Sequence, residues 1–403
     1  MPTLSPSILV LNGGSSSLRF AVVRADAQLT RVCSGTLNRI GQEDAWLEVD
    51  ATAGAGTRHA LPMRDHAAAV GSLVRWLRHH GDADDLVAAG HRVVHGMAHF
   101  DPELVTPGLL ADLRRIEPVD PDHLPVEIEL MDAVRAVLPG LPQVACFDTQ
   151  FHRHLPRVAA QLPIPRRYEA QGLRRYGFHG LSYDFLLHEL ERVGGARVAR
   201  GRVILAHLGG GASLSAVRDG RCVDTTMSFT PTAGLVMGTR SGDLDPSLAA
   251  YLERTEGMSS AQFLKMVNRD SGLLGVSGTS ADMRELLAAE AGDPRAAEAV
   301  ALFCYQARKA IGSFAAALGG LDTLVFSGGI GENAPAIRAR ICDGLQFLGV
   351  DVDARRNADA PGVISSSTGR VAVHVIRTNE AHVIARCVRD LLALDASGQE
   401  SSR

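Results

Sequence analysis

The chain has 403 residues, of which 46% are hydrophobic and 21% are charged, and its formal net charge is -4. This length is enough to bury a sizeable core and favours two domains over one. The charges form no long run of one sign and no apolar run approaches the roughly 20 residues that span a bilayer, so the composition argues against nucleic-acid and membrane partners and favours small-molecule chemistry.

The first predicted element is a strand that ends in a turn rich in glycine and serine, "ILVLNGGSSSLRF" at 8–20. Asn-Gly-Gly predicts a tight turn, but a hairpin does not need the three serines and the arginine that follow. Turns of this composition expose several N–H groups on one concave side, which can bind phosphate oxygens. Because the Walker A order of residues is absent, we predict phosphate binding by a hairpin.

Helices and strands alternate along the rest of the chain, which predicts an α/β fold with mixed sheets. Apolar residues at helical spacing predict helices over 65–80, 124–138, 294–320 and 380–394. Short apolar runs predict strands at 87–96, 143–150, 323–329 and 371–378.

A second hairpin resembles the first. "LNGGSSSLRFAVV" at 11–23 aligns without gaps with "HLGGGASLSAVRD" at 207–219. The repeat indicates a duplicated α/β domain, and the alternative is chance similarity between two turns of biased composition.

Composition also suggests where the two domains divide. A stretch rich in proline and arginine follows a predicted strand near 147–165, so we expect one domain over 1–150 and another over 151–380. The last predicted helix starts directly after a strand of the second half. We therefore expect 381–403 to pack back on the first domain.

A third glycine-rich segment, "SGGIGEN", lies between a predicted strand and a predicted helix. Gly329, Gly331 and Ala334 fit a relaxed dinucleotide-binding fingerprint, and Asp351 and Asp353 follow about 20 residues further on. This motif leaves a hydride-transferring enzyme open as an alternative. A dinucleotide site usually opens its domain, so phosphoryl chemistry is favoured.

Four polar residues lie at predicted strand ends or in glycine-rich loops: Arg92, Asp148, His179 and Arg240. Each has a structural alternative, since Arg92 can pair with a core carboxylate, His179 can be a core histidine and Asp148 can cap the next segment. Their combination with three phosphate-type loops favours a catalytic site.

The six cysteines are scattered without C-x-x-C spacing, which predicts reduced packing residues and argues against a disulfide framework or a metal site. The N-terminal segment has neither a basic region nor a small-residue cleavage site. We therefore expect a cytoplasmic location.

A series of motifs resembles the acetokinase family, within the superfamily of acetate and sugar kinases, Hsp70 and actin. The motifs are "NGGSSSLRF", "GHRVVHG", "FDTQFH", "RRYGFHG", "FTPTAGLVMGTRSGDLDP", "SGLLGVSGTSADMR", "GGIGEN" and "TNEAHVIA". The resemblance runs nearly end to end. It implies duplicated ribonuclease-H-like (actin-like ATPase) domains with a cleft between them, and reversible phosphoryl transfer between ATP and acetate that gives acetyl phosphate and ADP.

The resemblance also implies residue roles. Catalysis is assigned to Asp148, His179, Arg240 and Arg92. Substrate binding is assigned to Arg92, Val94, His123, Phe178 and Pro231. Nucleotide binding is assigned to Arg19, His207, Leu208, Gly209, Gly210, Gly211, Asp282, Met283, Arg284, Gly329, Ile330, Gly331, Glu332 and Asn333. Asn12 and Glu380 are assigned to Mg²⁺, with Mn²⁺ as the alternative ion.

The guanidinium groups of Arg92 and Arg240 match the geometry of carboxylate and phosphoryl oxygens. The substrate carboxylate is already ionised at neutral pH and needs no base to activate it. We therefore expect Asp148 to orient the site and not to act as a proton acceptor.

The chain departs from the family pattern at five positions. Arg19 replaces a lysine, Gly210 replaces an asparagine, and Leu181 and Tyr183 replace a threonine and a histidine. Asp122 falls where the family has a leucine of the substrate pocket. These changes suggest a divergent branch. Acetate is the expected acceptor, and a short-chain acyl kinase that prefers propionate or butyrate is the alternative.

Two alternatives come from other classes of protein. An NAD-dependent oxidoreductase rests on the Gly329 motif alone. A non-catalytic ATP-dependent switch of the Hsp70 or actin kind shares the fold but has no reason to keep the four catalytic-type residues together. The resemblance further implies a homodimer.

Overall fold

The computed structural model describes residues 6–50, 56–81 and 85–394. Among the helices of these ranges, none combines the length and the apolar character that crossing a membrane requires.

Strands in the described ranges are numbered in chain order. They are β1 Ser7–Gly13, β2 Ser17–Arg24, β3 Arg31–Asn38, β4 Trp46–Val49, β5 Thr57–Ala60, β6 Leu86–Val93, β7 Glu103–Leu104, β8 Gln143–Phe147, β9 Val203–Leu208, β10 Ala212–Arg218, β11 Arg221–Thr225, β12 Thr323–Ser327, β13 Gly362–Val363 and β14 Ala372–Val375.

Helices are numbered in the same way. They are α1 His66–His80, α2 Pro107–Ile116, α3 Leu124–Val137, α4 Arg157–Ala160, α5 Gly180–Gly194, α6 Ala196–Ala199, α7 Ser247–Glu256, α8 Ser260–Arg269, α9 Gly272–Ser277, α10 Met283–Ala289, α11 Pro294–Leu318, α12 Gly328–Asn333, α13 Pro335–Cys342, α14 Ala354–Ala358 and α15 Glu380–Leu391.

The chain divides into two compact units. Unit 1 holds the described residues up to 150 together with those from 379 onwards, and unit 2 holds 151–378. Each unit contains one mixed sheet.

The two sheets share a five-strand order. In the described residues, the sheet of unit 1 runs β5-β4-β3-β2-β1-β6-β8-β7 and that of unit 2 runs β11-β10-β9-β12-β14-β13. In both, an antiparallel hairpin is followed by two parallel pairs. They are β1 with β6 and β6 with β8 in unit 1, and β9 with β12 and β12 with β14 in unit 2. The predicted duplication is therefore confirmed.

The two repeated hairpins differ in one detail that the ungapped alignment missed. In β1–β2 the last pair is Gly13 with Leu18, whereas in β9–β10 it is Leu208 with Ala212. The first turn is therefore one residue longer than the second.

Helix ends follow the local chemistry of the chain. Asp65 caps α1 by accepting the Ala68 N–H at 2.7 Å, and Gly81 ends the helix in the left-handed conformation. The 25-residue α11 has Pro294 at its first position and ends at Gly319, also left-handed. These signals explain why the predicted bounds of both helices agree closely with the structure.

The last helix, α15, packs on the sheet of unit 1. A Cβ atom placed on Gly90 in β6 would lie 2.5 Å from Ile384 and 2.7 Å from Val388, so only glycine admits the helix at this distance. This contact fixes the start of α15, and therefore Glu380, relative to β1 and β6.

Candidate active site

An ion pair lies at the edge of the unit 1 sheet where parallel strands end. Arg92 is near the end of β6, and Asp148 directly follows the neighbouring β8. The Arg92 Nε and Nη2 donate to Asp148 Oδ2 at 3.1 and 2.5 Å, and Asp148 is fully buried. Burial alone lowers the pKa of Arg92, but Asp148 and Glu380 outweigh it and hold that pKa above its usual range.

Asn12 and Glu380 extend this ion pair into a network. Arg92 Nη1 donates to Asn12 Oδ1 at 3.2 Å, and Asn12 Nδ2 donates to Glu380 Oε2 at 3.4 Å. Arg19 is paired with Asn12 across β1 and β2 and is exposed, so both lie on one face of the sheet. Unit 1 thus brings together five of the predicted site residues.

Two buried acids of unit 1 that the sequence analysis missed contact other predicted residues. Both carboxylate oxygens of Glu127 accept the backbone N–H of Val94, at 3.1 Å each. Burial raises the pKa of Glu127 well above its usual value. Asp120 Oδ1 contacts His123 Nδ1 at 2.7 Å. In the sequence, Glu127 lies at a helical position between apolar neighbours. This acid on a buried helix face was the available signal for its role in the site.

In unit 2, His179 and Arg240 approach the same glycine. A Cβ atom on Gly211 would lie 3.1 Å from His179 Nε2 and 3.6 Å from Arg240 Nη2. The His179 ring stacks on His207 with 4.4 Å between centroids. The two polar side chains and the glycine-rich turn after β9 therefore form one group.

Hydrogen bonds from buried residues orient this group. His179 Nδ1 contacts Ser213 Oγ at 2.8 Å, and Ser213 Oγ contacts the Tyr183 hydroxyl at 2.5 Å. Arg240 Nη1 donates to the carbonyl of Pro231 at 2.8 Å. Ser213 was matched to Ser17 by the hairpin repeat alone, so its contact with His179 could not be predicted.

The predicted substrate residues Phe178 and Pro231 lie next to this group in unit 2, and both are buried. Phe178 directly precedes His179. The predicted residues of unit 2 near the hairpin are therefore neighbours, whereas Val94 and His123 belong to unit 1.

The glycine-rich turns use part of their own N–H groups. The Gly14 N–H donates to the Ser17 carbonyl at 2.7 Å, and the Gly209 N–H donates to the Gly211 carbonyl at 2.9 Å. The Gly14 and Gly209 N–H groups are thus engaged within their own turns, and the predicted phosphate binding falls to the other N–H groups. Gly238 donates to the Gly210 carbonyl at 3.0 Å, which connects the second turn to the loop that carries Arg240.

The segment 282–284 begins α10. Asp282 caps the helix by accepting the Arg284 N–H at 2.8 Å, and the exposed Arg284 side chain pairs back with the Asp282 carboxylate. Met283 is buried. The preceding residue, Ala281, has its carbonyl oxygen 3.3 Å from a Cβ placed on Gly238, so this segment adjoins the loop that carries Arg240.

The segment 329–333 forms most of α12, directly after β12, which pairs with β9. Glu332 Oε1 accepts hydrogen bonds from the backbone N–H groups of Gly328 at 2.9 Å and Thr378 at 3.1 Å, so its carboxylate is engaged with the backbone. Asn333 Nδ2 donates to the Gly329 carbonyl at 2.9 Å. Leu208, at the end of β9, and Ile330, within α12, are the remaining residues predicted to bind the nucleotide. A Cβ atom placed on Gly329 would meet nothing within 4 Å.

A buried arginine that the sequence analysis missed supports this segment. Arg338 Nη1 donates to the carbonyls of Gly331 at 2.8 Å and Glu332 at 3.0 Å. Its Nε and Nη2 donate to Asn357 Oδ1 at 2.7 Å and to the Asn357 carbonyl at 2.6 Å. All four acceptors are neutral oxygens, and burial lowers the pKa of Arg338.

The same region argues against a dinucleotide site. Asp351 accepts hydrogen bonds from the hydroxyls of Ser366 and Thr368, and Asp353 caps α14 by accepting the Arg356 N–H at 2.8 Å. Both candidates for the one acid that the fingerprint places on a ribose are thus engaged locally. The structure gives the oxidoreductase alternative no support.

All six cysteines are free. Four of them are buried, as expected for reduced packing residues.

Comparison with known proteins identifies the family. The model of the Acetokinase family matches residues 7–386. An acetate kinase from Rhodopseudomonas palustris is 44% identical over 392 residues, covering 96% of this chain and 98% of the relative. A propionate kinase from Citrobacter rodentium is 43% identical over 391 residues and covers 96% of each chain.

Solved structures agree with this result. A propionate kinase from Francisella tularensis superimposes with a TM-score of 0.89 at 35% identity, covering 95% of this chain and 98% of that one. An acetate kinase from Porphyromonas gingivalis gives a TM-score of 0.87 at 33% identity, covering 96% and 100%. The match spans both units and both sheets, and the chain belongs to the acetokinase family.

Proposed function

We propose that this chain catalyses reversible phosphoryl transfer between ATP and a short-chain carboxylate, with acetate as the preferred acceptor. The observation that carries the proposal is the approach of His179 and Arg240 to Gly211, in the turn of a glycine-rich hairpin of an acetokinase-family chain. The similarity to a propionate kinase supports propionate as a second acceptor.

The polar groups of unit 2 fit the needs of phosphoryl transfer. In-line transfer requires positioning and positive charge around three equatorial oxygens more than it requires covalent chemistry. We assign Arg240 as a planar donor to these oxygens. We assign the Tyr183 hydroxyl as donor to Ser213 and the Ser213 hydroxyl as donor to His179 Nδ1, which leaves His179 Nε2–H as a second donor to these oxygens.

Gly211→Ala tests this convergence. We expect kcat to fall about 10-fold or more with little change in melting temperature, because the added methyl group would lie 3.1 Å from His179 Nε2 and displace it, while it stays in ordinary contact with Arg240 at 3.6 Å. Gly210→Ala is the matched variant, since its methyl group meets nothing within 4 Å, and it should cost less. Steady-state kinetics and thermal unfolding of both variants decide the point. Equal kinetic losses in the two variants would show that His179 and Arg240 do not act at Gly211.

The cluster of unit 1 fits recognition of the acceptor. Arg92 offers a guanidinium to a substrate carboxylate, and Asp148 holds that guanidinium in place from a buried position. The acceptor is ionised at neutral pH and needs no general base. We therefore assign Asp148 as an orienting residue.

Asn12 and Glu380 fit a divalent cation of the hard type. They offer amide and carboxylate oxygens, and Mg²⁺ is commonly held by one or two carboxylates together with substrate phosphates and water. Among the described residues, no group of three or more histidines, cysteines and acids forms a cage for a metal ion, which agrees with this mode of binding. When bound, Mg²⁺, or Mn²⁺ in its place, would neutralise charge on the nucleotide phosphates.

We assign to Val94, Phe178 and Pro231 the role of limiting the size of the acceptor. All three are buried, and Pro231 is rigid and further tied through its carbonyl to Arg240. A methylene that fits a pocket is worth only about 1–3 kcal/mol, so we expect acetate to lead, propionate to be usable and butyrate to lag.

Trapping acyl phosphate as the hydroxamate with ATP and each of the three acids measures kcat/KM directly.

The half-buried Asp122 should repel the acceptor, so Asp122→Leu should lower the KM for acetate with a modest change in kcat. A preference for butyrate, or weaker acetate binding by Asp122→Leu, would contradict this assignment. Absence of hydroxamate with all three acids would overturn the proposed function itself.

We also propose a homodimer, supported by an uncovered apolar face in unit 2. The fully described helix α7 buries none of its ten residues, Tyr251 on it is 54% exposed, and Leu264 on the adjoining α8 is 45% exposed. A ten-residue helix is not stable in water without packing of its apolar face.

The cytoplasmic location stays a prediction.

Light scattering with size-exclusion chromatography tests the dimer. The native chain should elute with twice the chain mass, and Tyr251→Glu or Leu264→Glu should shift it towards the monomer because a charge is placed in the covered face. Val158→Glu changes an 89% exposed residue elsewhere in unit 2 and should leave the mass unchanged. A native monomer would refute the proposal.

A further inference from the structure

A buried histidine and cysteine in unit 2 lie outside the residues assigned above. His152 and Cys222 are both buried, and His152 Nδ1 lies 3.1 Å from Cys222 Sγ. His152 Nε2 lies 3.0 Å from the carbonyl oxygen of Phe178. Ser215 Oγ lies 3.2 Å from Cys222 Sγ on its other side.

The partners settle where the hydrogens lie. A carbonyl oxygen only accepts, so His152 Nε2 carries a hydrogen and donates to Phe178. In a neutral imidazole Nδ1 then accepts. The Cys222 S–H has two acceptors in reach, His152 Nδ1 at 3.1 Å and the Asp224 carbonyl at 3.4 Å, and we assign it to the nearer Nδ1. Burial lowers the pKa of His152 to about 4 and raises that of Cys222 to about 12, so both groups are neutral near pH 7.

The carbonyl that His152 holds belongs to the peptide that leads into His179. His179 has φ 58° and ψ 24°, the left-handed region that side chains other than glycine rarely adopt. Such a conformation persists only where the surroundings determine it.

The His152 ring also shapes the chain just before this point. A Cβ on Gly177 would lie 2.6 Å from the ring, and Gly177 itself has φ 75°. The backbone from Gly177 to His179 is thus packed against the imidazole and bonded to it. This arrangement places the His179 side chain towards Ser213 and Gly211.

We propose that His152, held in one tautomer by the Cys222 thiol, is a positioning residue that fixes the peptide between Phe178 and His179 and thereby the direction of the His179 imidazole. This inference rests on the proposed role of His179 in phosphoryl transfer. His152 itself touches the backbone and does not reach the reacting groups.

Paired substitutions test the two hydrogen bonds. His152→Ala removes the donor to Phe178 and should lower kcat about 100-fold with little change in KM for ATP or acetate, as expected when a reacting group is displaced. His152→Gln restores an N–H donor at a similar reach and should recover most of the loss. Cys222→Ala should lower kcat by less than His152→Ala does, and Cys222→Ser, which keeps a donor for Nδ1, should approach the native value.

The imidazole signals of ¹⁵N-histidine-labelled protein supply a readout that a merely structural role would not move. The His179 signal, assigned by its loss in His179→Gln, should shift in His152→Ala and return in His152→Gln. His374→Gln removes another buried histidine of unit 2 and should leave both kcat and the His179 signal unchanged. Should His152→Ala fail to fold, the Cys222 pair carries the test.

The inference is overturned if folded His152→Ala keeps native kcat and an unshifted His179 signal. It is equally overturned if His152→Gln recovers nothing, or if Cys222→Ala and Cys222→Ser are indistinguishable from the native chain. Failure of the proposed function has a different signature, namely that native protein forms no acyl phosphate or that His179→Gln leaves kcat intact. In that case the His179 signal of the His152 variants still decides whether His152 positions His179.

Discussion

Replacement of Asp148 by asparagine is expected to lower kcat by at least about 100-fold, the scale on which loss of one preorganised electrostatic group acts. The asparagine keeps an oxygen that can accept from Arg92, so the fold should survive. It loses the negative charge that fixes the guanidinium, and Arg92 is then free to turn towards Asn12 and Glu380. Steady-state kinetics together with thermal unfolding measure the two effects separately.

Asp148→Ala is the less informative change, because it leaves a charged guanidinium largely buried without its partner, at a cost of about 3–5 kcal/mol. Arg240→Ala in unit 2 should reduce kcat as strongly as Asp148→Asn. Asp132→Asn serves as control, since Asp132 pairs with Arg114 and Arg135 near the surface. Near-native kcat in Asp148→Asn at matched stability would place the catalytic site elsewhere.

The largest expected loss of stability follows from removal of Arg338. Arg338→Ala removes the donor from four carbonyl or amide oxygens, three of them in buried hydrogen bonds, and the free energy of unfolding of unit 2 should fall by at least about 3 kcal/mol. In a unit of this size, each kcal/mol corresponds to about 2–4 °C, so the melting temperature should drop by about 6 °C or more.

Two variants sharpen this prediction. Arg340→Ala is the control. Arg340 lies on the same helix as Arg338 but pairs with Glu290 at the surface, so its loss should lower the free energy of unfolding by less than about 1 kcal/mol. Arg338→Lys keeps the charge without the planar fork and should stay well below the native stability. The KM for ATP should rise in Arg338→Lys, since Gly331 and Glu332 belong to the proposed nucleotide segment. Equal melting temperatures for Arg338→Ala and Arg340→Ala would contradict the structural role.

Regular elements could be predicted where the sequence repeats one physical signal many times. The long α11 combines a sustained apolar period, Pro294 at its start and Gly319 at its end, and its predicted bounds of 294–320 are almost those observed. The duplication of the α/β domain could be predicted from two similar hairpins, whereas the strand order of the sheets was not predicted. The turn lengths could not, because Gly and Ser tolerate more than one turn geometry at little difference in free energy.

Supporting residues were the part of the site that could not be predicted. Arg338 and Arg340 stand two positions apart in the eight-residue α13, and only the packing of α14 against it decides which arginine is buried. Glu127 offers a partial sign, as an acid on the buried side of α3, but its acceptor role depends on the N–H of Val94, 33 residues away. Contacts of this kind arise from tertiary packing and leave no local pattern.

The return of α15 to the first sheet also constrains the order in which a newly made chain becomes complete. Domains emerging from the ribosome generally fold from the N-terminal side first. Here unit 2 is continuous in sequence over 151–378, whereas unit 1 waits for residues beyond 379. Until that segment is synthesised, the surface of β6 at Gly90 lacks its helix and Asn12 lacks Glu380. The nascent enzyme therefore gains Glu380, the second of its two proposed metal-binding residues, only after all the other proposed site residues have been synthesised.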